Sequence, residues 1–161
     1  NNFDGLGFVK GLKKSKIMTN NKSFCIFGAG GAGMAIAFSL LKENIKKLKI
    51  VNRDELKGKN LKNRLELFFP KSIIEFEGLG NYNLSDIDVV VNATNIGLKD
   101  NKDIPFDVCK TKDSCIVADI IMEPEETELI KKAKKIKRQV HFGKNMLENQ
   151  IELAGQFLEI W

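Results

Sequence analysis

Three glycines near the amino terminus have the spacing of a phosphate-binding loop. Gly28, Gly30 and Gly33 occupy the glycine positions of a G-x-G-x-x-G pattern. In such a loop the first glycine turns the chain, the second lets the backbone approach a pyrophosphate, and the third lets a helix pack closely on a strand. Free N–H groups at the start of that helix would face the phosphates. The spacing therefore predicts a dinucleotide site, although a glycine-rich turn that only packs gives the same pattern.

The residues around these glycines predict the strands and the helix that such a loop needs. An apolar run, 24–27, precedes the glycines, and apolar residues recur at helical spacing from Met34 to Leu41. A second apolar run, 48–51, ends in Asn52, Arg53 and Asp54, roughly twenty residues beyond the glycines. Folds of this kind bind the adenosine ribose at that position. The polar residues after the second strand are therefore candidate cofactor contacts.

Strands and helices are predicted to alternate along the whole chain. The further predicted strands are 72–76, 86–94, 114–121 and 139–143, and the further predicted helices are 1–16, 54–69, 125–137 and 146–161. This alternation predicts an α/β fold, namely a Rossmann-like, doubly wound and mostly parallel sheet of about six strands with helices on both faces. We expect residues 1–161 to form a single dinucleotide-binding domain, with its ligand outside the carboxyl ends of the strands.

Composition and charge argue against several other classes of protein. The formal net charge of +5 comes from lysines interspersed with acids, and the one basic cluster, 131–138, is typical of the solvated end of a helix. No apolar run reaches the roughly eighteen residues that span a bilayer, and a signal-peptide pattern is absent. We therefore expect a cytoplasmic protein with no nucleic-acid or membrane partner.

The cysteines and the single histidine predict no metal site. Cys25, Cys109 and Cys115 lack the spacing of a zinc site, and Cys25 lies inside a predicted buried strand. We interpret all three as reduced, structural thiols. His141 stands among apolar neighbours, which is more typical of a packed histidine than of a catalytic or metal-binding one.

Six motifs in order along the chain together resemble shikimate dehydrogenase, specifically its C-terminal NADP-binding domain. They are 2–5 (N-F-D-G, similar to N-T-D-G), 28–32 (G-A-G-G-A), Asn52 and Arg53 with Lys57 (similar to N-R-T-x-x-[RK]), 92–94 with Gly97 (N-A-T-x-x-G), 119–124 with Thr127 (similar to D-x-x-Y-x-P-x-x-T), and the closing set Gly143, Met146, Leu147, Gln150, Phe157 and Trp161 (G-x-x-M-L-x-x-Q ending in F-x-x-x-W). The resemblance covers nearly the whole chain. Six ordered motifs at compatible spacings argue against chance agreement.

The resemblance implies an activity and a set of site residues. The family reversibly reduces 3-dehydroshikimate to shikimate with NADPH, in aromatic amino-acid (chorismate) biosynthesis. Asp4 would be a catalytic, substrate-binding carboxylate that works with a lysine missing from this chain, and Gln150 would contact the substrate. Met122 stands at the substrate-side position of the family's tyrosine, which leaves the substrate identity open. The implied cofactor contacts are Gly28, Ala29, Gly30, Gly31, Ala32, Asn52, Arg53, Lys57, Thr94, Ile120 and Gly143.

The resemblance also implies a missing partner. The family's N-terminal substrate-binding catalytic domain is absent from this chain, so we expect the isolated domain to bind cofactor and turn over nothing. The residues alone favour Asp4 as a helix N-cap, and Gln150 could face solvent. A free-standing nucleotide-sensing regulatory domain without catalysis is a further alternative, and the sequence leaves the oligomeric state open.

Cofactor choice depends on the residues after the second strand. The Arg53 guanidinium could form two hydrogen bonds to a 2'-phosphate, and the Lys57 ammonium would add a positive charge. Asp54, which replaces the family's threonine, and Glu55 beside it are acids of the kind that bind the free ribose of NAD. We favour NADP, with Asp54 as a helix cap. The alternative is an NAD-using quinate/shikimate dehydrogenase.

Overall fold

In the part of the chain that the computed structural model describes, residues 3–158, helices and strands alternate except between the third and fifth strands, where no α-helix intervenes, contrary to the alternation predicted for the whole chain. The helices are α1 (Asp4–Lys14), α2 (Gly31–Leu41), α3 (Glu55–Phe68), α4 (Glu128–Lys135) and α5 (Gly143–Phe157). The strands are β1 (Ser23–Phe27), β2 (Lys47–Asn52), β3 (Ile74–Gly78), β4 (Val89–Asn92), β5 (Ile116–Asp119) and β6 (Gln139–His141). Asn2 and Trp161, two of the motif residues, lie outside the described residues.

The strands form one parallel sheet in the order β3-β2-β1-β4-β5-β6. The chain builds outward from β1 to β3 and then returns to place β4 on the other side of β1, so the strand order reverses between β1 and β4. Their register pairs Phe27 with Asn92, which brings the carboxyl ends of the two strands together. The predicted Rossmann-like, doubly wound sheet is confirmed. A ligand crevice is expected where the order reverses.

Apolar layers cover both faces of the sheet. On one face α1, α2, α3 and α5 pack together, with Phe8 and Ile36 among the fully buried side chains. On the other face α4 packs beside segments that are not α-helical, and Phe106 and Val108 are buried there. The sequence predicted no helix between the strands at 86–94 and 114–121. The structure instead has a 3-10 turn, Val108–Lys110, in the position of a crossover helix.

Several element boundaries differ from the predicted ones because polar side chains bond to the backbone. α4 begins at Glu128 rather than at residue 125, since the Thr127 hydroxyl accepts a bond from the Ile130 amide. β4 ends at Asn92, where the side-chain oxygen accepts the Thr94 amide and turns the chain. β6 ends at His141, and Gly143 belongs to the first turn of α5. No helix among the described residues is long and apolar enough to cross a bilayer.

Helix α1 lies unusually close to two other helices. A Cβ on Gly5 would lie 2.0 Å from the carbonyl oxygen of Ala35 in α2. A Cβ on Gly7 would lie 2.7 Å from the carbonyl oxygen of Met146 in α5. Such distances are sterically prohibitive, so only glycine permits this approach of the backbones. The packing fixes the start of α1 against both α2 and α5.

Candidate functional site

The glycine loop contains two kinds of glycine. A Cβ on Gly33 would lie 2.2 Å from the Gly28 carbonyl oxygen, and Gly28 itself has a φ of +113°, so the fold requires glycine at both positions. Gly30 and Gly31 differ, because a Cβ built there has no atom within 4 Å among the described residues other than its chain neighbours and the adjoining helix backbone. The Gly30 φ of −82° is also accessible to any residue. Packing therefore accounts for the first pair, and open space beside the second pair suits a bound group.

A cleft of about 170 Å³ lies beside this loop at the carboxyl ends of β1, β2 and β4. Its lining includes Gly28, Asn52, Arg53 and Thr94, four of the predicted cofactor contacts. A larger depression, of about 580 Å³, lies away from these strand ends. It is lined by residues 13, 16–20 and 42–44. The smaller cleft is the relevant one, because it lies where the strand order reverses.

Asn52 links the glycine loop to the turn between β2 and α3. Its Oδ1 accepts a bond of 3.1 Å from the Ala29 amide, and its Nδ2 donates to the Asp54 carbonyl oxygen at 2.8 Å. The Asp54 carboxylate accepts the Lys57 amide at 3.1 Å, which confirms its prediction as the cap of α3. Arg53 and Lys57 are exposed to solvent. Two cationic side chains are thus available at the end of β2.

A buried polar network joins the carboxyl ends of β4 and β5. Asn92, Asp119 and Thr127 are at most 2% exposed. The Asp119 carboxylate accepts bonds from the Asn92 side chain at 3.1 Å, the Ile121 amide at 3.0 Å and the Thr127 hydroxyl at 2.7 Å. Burial raises the pKa of Asp119 to about 6, although these three donors oppose the shift. The sequence motifs include Asn92, Asp119 and Thr127, but the hydrogen bonds between these residues were not predicted. The available signal was that a polar residue ends each of two neighbouring apolar strands.

Two of the predicted cofactor contacts, Ile120 and Gly143, lie against each other. A Cβ on Gly143 would lie 2.6 Å from the Ile120 carbonyl oxygen and 2.5 Å from that of Ile121. The start of α5 therefore packs directly on the chain that leaves β5, and this packing alone requires glycine. Met122 follows on the same segment and is 43% exposed.

Asp4 and Gln150, two of the three residues implied on the substrate side, are joined by a hydrogen bond. The Gln150 Nε2 donates to the Asp4 Oδ1 at 2.7 Å, although the residues are 146 positions apart. The N-cap alternative for Asp4 is wrong, because Phe3 occupies the N-cap position and Asp4 lies in the first turn of α1. Gln150 is half-buried rather than freely solvated. The close packing of α1 on α5 brings the pair together.

His141 is a packed residue, as predicted. It is 2% exposed and its ring meets Phe8 edge-on, with centroids 5.8 Å apart. Burial lowers the pKa of His141 to about 4, so the ring is neutral near pH 7. Within residues 3–158, no group of three or more His, Cys, Asp or Glu side chains could hold a metal ion.

Comparisons with known proteins agree with one another. The family model described as Shikimate / quinate 5-dehydrogenase matches residues 11–128. A shikimate dehydrogenase (NADP(+)) from Nitrosopumilus maritimus is 34% identical over 161 residues, covering 99% of this chain and 57% of that protein. The chain thus spans about half the length of the curated relatives it matches.

Solved structures show the same arrangement of strands and helices. A 5-ketofructose reductase of Gluconobacter sp. strain CHM43, in ligand-free form, superposes with a TM-score of 0.88 at 30% identity, covering 97% of this chain and 57% of that one. A shikimate dehydrogenase in complex with NADP+ gives a TM-score of 0.85 at 33% identity, covering 92% of this chain and 53% of that one.

Proposed function

This chain belongs to the shikimate / quinate 5-dehydrogenase family, and we propose that it is the NADP-binding domain of a shikimate dehydrogenase. The proposed reaction is the reversible, NADPH-dependent reduction of 3-dehydroshikimate to shikimate in the cytoplasm. The observation that carries the proposal is the open side of the glycine loop at Gly30 and Gly31, beside a cleft that Arg53 lines. A relative and a solved structure named for NADP support the choice of cofactor.

The residues present fit a dinucleotide phosphate. The loop amides and the amino terminus of α2 would bind the pyrophosphate, since the unpaired N–H groups and the helix dipole both favour an anion. The Arg53 guanidinium would bind the 2'-phosphate through two parallel hydrogen bonds, and Lys57 would add a second positive charge. The Asp54 carboxylate is used as the cap of α3, where it accepts the Lys57 amide. The bound cofactor would supply the hydride, and the chain would position it.

The substrate side would be built from Asp4 and Gln150 together with an N-terminal substrate-binding domain, as the family resemblance implies. Asp4 would pair with a lysine of that N-terminal domain, fixing the lysine beside the substrate hydroxyl and tuning its proton affinity. The Gln150 amide would donate to or accept from the substrate. We therefore expect the isolated chain to bind cofactor without turnover.

A second candidate is an NAD-using quinate/shikimate dehydrogenase. Met122 removes the phenol that the family resemblance places near the substrate, and Asp54 and Glu55 add negative charge near the ribose. The similarity to a 5-ketofructose reductase supports considering a substrate other than shikimate, because that protein has a similar fold and is named for a different ketone.

Calorimetry of the 161-residue chain tests cofactor binding directly. We expect NADP+ to bind at least tenfold more tightly than NAD+, and tighter NAD+ binding would favour the second candidate. The chain joined to the N-terminal domain that the family resemblance implies is then supplied with NADP+ and either shikimate or quinate, and NADPH absorbance is followed. Oxidation of shikimate supports the proposal. Cofactor binding with no oxidation of either compound would favour a regulatory domain instead.

A further inference from the structure

Two loops that carry the proposed ligand contacts converge on one buried carboxylate. The loop after β4 contains Thr94, and the loop after β5 contains Ile120 and Met122. Asp119, at the end of β5, receives donors from both sides. Neither loop is regular secondary structure, so something other than ladder hydrogen bonds must hold it in place.

On one side the network orients the Thr94 loop. Asn92 Nδ2 donates to Asp119 Oδ1 at 3.1 Å and to the Ile96 carbonyl oxygen at 3.0 Å. An Asn side chain has two distinct ends, and an ionised carboxylate can only accept, so Asp119 selects the orientation with the amide nitrogen toward it. The Asn92 oxygen is then left to accept the Thr94 amide at 3.1 Å and the Thr94 hydroxyl at 2.6 Å.

On the other side the same carboxylate fixes the loop that carries Met122. Asp119 accepts the Ile121 amide through one oxygen and the Thr127 hydroxyl, at the N-cap of α4, through the other. The Lys99 amide also donates to the Glu123 carbonyl oxygen at 2.7 Å, so the two loops bond to each other. In the part of the chain that the structure describes, no charged group contributes to the raised pKa of Asp119. Neutral donors alone satisfy the buried charge.

We propose that Asp119 is a positioning residue of the nucleotide site, holding Thr94 at the cleft through Asn92 and the Ile120 segment beside Gly143. This inference rests on the proposed function, because it assigns a role within the same site. It assigns Asp119 no contact with the substrate or the cofactor.

The test compares a variant that removes the Asp119 carboxylate with one that keeps a single oxygen acceptor in its place. Asp119→Leu keeps the branched shape but leaves three donors without an acceptor, whereas Asp119→Asn keeps one oxygen toward Asn92 and the Ile121 amide. We expect Asp119→Leu to weaken NADP+ binding to the 161-residue chain at least tenfold and Asp119→Asn to stay within about threefold of wild type. Without ligand, the Thr94 and Ile96 amide resonances should shift in Asp119→Leu and return toward wild type in Asp119→Asn.

Asp88 provides a matched control. Its carboxylate, at the opposite end of β4, accepts the Ser23 amide and the Lys112 ammonium, each at 2.7 Å. We expect Asp88→Leu to lower stability while leaving NADP+ binding within about twofold. If Asp119→Leu is unfolded by circular dichroism, Asn92→Ala is used instead, which keeps the carboxylate and removes its link to Thr94. The same loss of affinity is expected.

The outcomes separate this role from the proposed function. A wild-type chain that does not bind NADP+ would overturn the proposed function. Wild-type binding with unchanged affinity in folded Asp119→Leu would overturn only the positioning role. Equal losses in Asp119→Leu and Asp119→Asn would also overturn it, as would an equal loss in Asp88→Leu.

Discussion

The open space at Gly30 allows stability and cofactor binding to be separated by one methyl group. A Cβ at Gly30 contacts nothing within 4 Å among the described residues, and φ there is ordinary. Gly30→Ala restricts the unfolded chain, which stabilises the fold by about 0.4–1 kcal/mol, and this is offset because alanine is a poorer N-cap than glycine. We expect the unfolding free energy to change by less than about 1 kcal/mol, or roughly 3 °C in Tm.

The same methyl group should block the phosphate. It would stand between the bound anion and the amides at the start of α2, and a hydrogen bond to a charged group contributes about 1.5–3 kcal/mol. That loss corresponds to a Kd for NADP+ that is about 10 to 100 times higher. Cofactor at 100 times the wild-type Kd stabilises the wild type by about 2.7 kcal/mol, or roughly 5–10 °C. We expect that thermal shift to fall to about half or less in Gly30→Ala.

Two other glycines serve as controls for this prediction. Gly33→Ala places a Cβ 2.2 Å from the Gly28 carbonyl oxygen, so it should lose about 1–3 kcal/mol, or roughly 3–10 °C, before any ligand is added. Gly80→Ala, in an exposed turn with no described atom near its Cβ, should change neither stability nor affinity. Wild-type affinity in Gly30→Ala would refute the placement of the pyrophosphate over this loop.

Four further predictions concern charge, pH and packing. Arg53→Gln should raise the Kd for NADP+ about 10 to 100 times in calorimetry and leave that for NAD+ within twofold, with exposed Arg64→Gln as control; equal losses for both cofactors would contradict a 2'-phosphate contact. The raised pKa of Asp119, about 6 against 3.8, makes its contribution to stability greatest below pH 3.8 and lost as pH rises through 6. The unfolding free energy of Asp119→Asn minus wild type should therefore rise by roughly 2–2.5 kcal/mol between pH 4 and 7, and a flat difference in urea titrations would contradict this. The lowered pKa of His141, about 4 against 6.5, acts oppositely, so His141→Gln minus wild type should fall by about 3 kcal/mol over the same range. Gly5→Ala should lower the unfolding free energy by about 1–3 kcal/mol or more, and an unchanged urea midpoint would refute the close contact of α1 with α2.

The sheet could be predicted from the sequence because its strands are continuous apolar runs and its helices keep a helical period. The segment around Phe106 and Val108 could not be predicted, since its apolar residues follow neither the helical nor the strand period. They are buried because they pack on the apolar second face of the sheet. The beginning of α5 at Gly143 was missed for a related reason. Its position depends on a backbone contact with the segment at Ile120, which periodicity does not encode.

The residues of the candidate site could be predicted from the sequence, but the hydrogen bonds between them could not. The glycine positions and Asp54 as a cap follow from local rules, because each acts on its own turn. The bond between Asn92 and Asp119 joins residues 27 apart, and that between Asp4 and Gln150 joins residues 146 apart. Such bonds depend on the order of the strands and on how closely the helices pack. They become visible only when the fold is assembled.

The packing of α1 also bears on how the two halves of the proposed enzyme would work together. Gly5 fixes α1 against α2, the helix that begins at the glycine loop, and Gly7 fixes it against α5. Asp4 and Gln150 therefore belong to the same closely packed assembly as the proposed nucleotide site, and in the proposed enzyme a lysine of the N-terminal domain would approach them there. We expect the Gln150 side-chain amide resonances to be the same in the isolated chain with and without NADP+. A large shift on NADP+ binding would show instead that the pair rearranges with the cofactor.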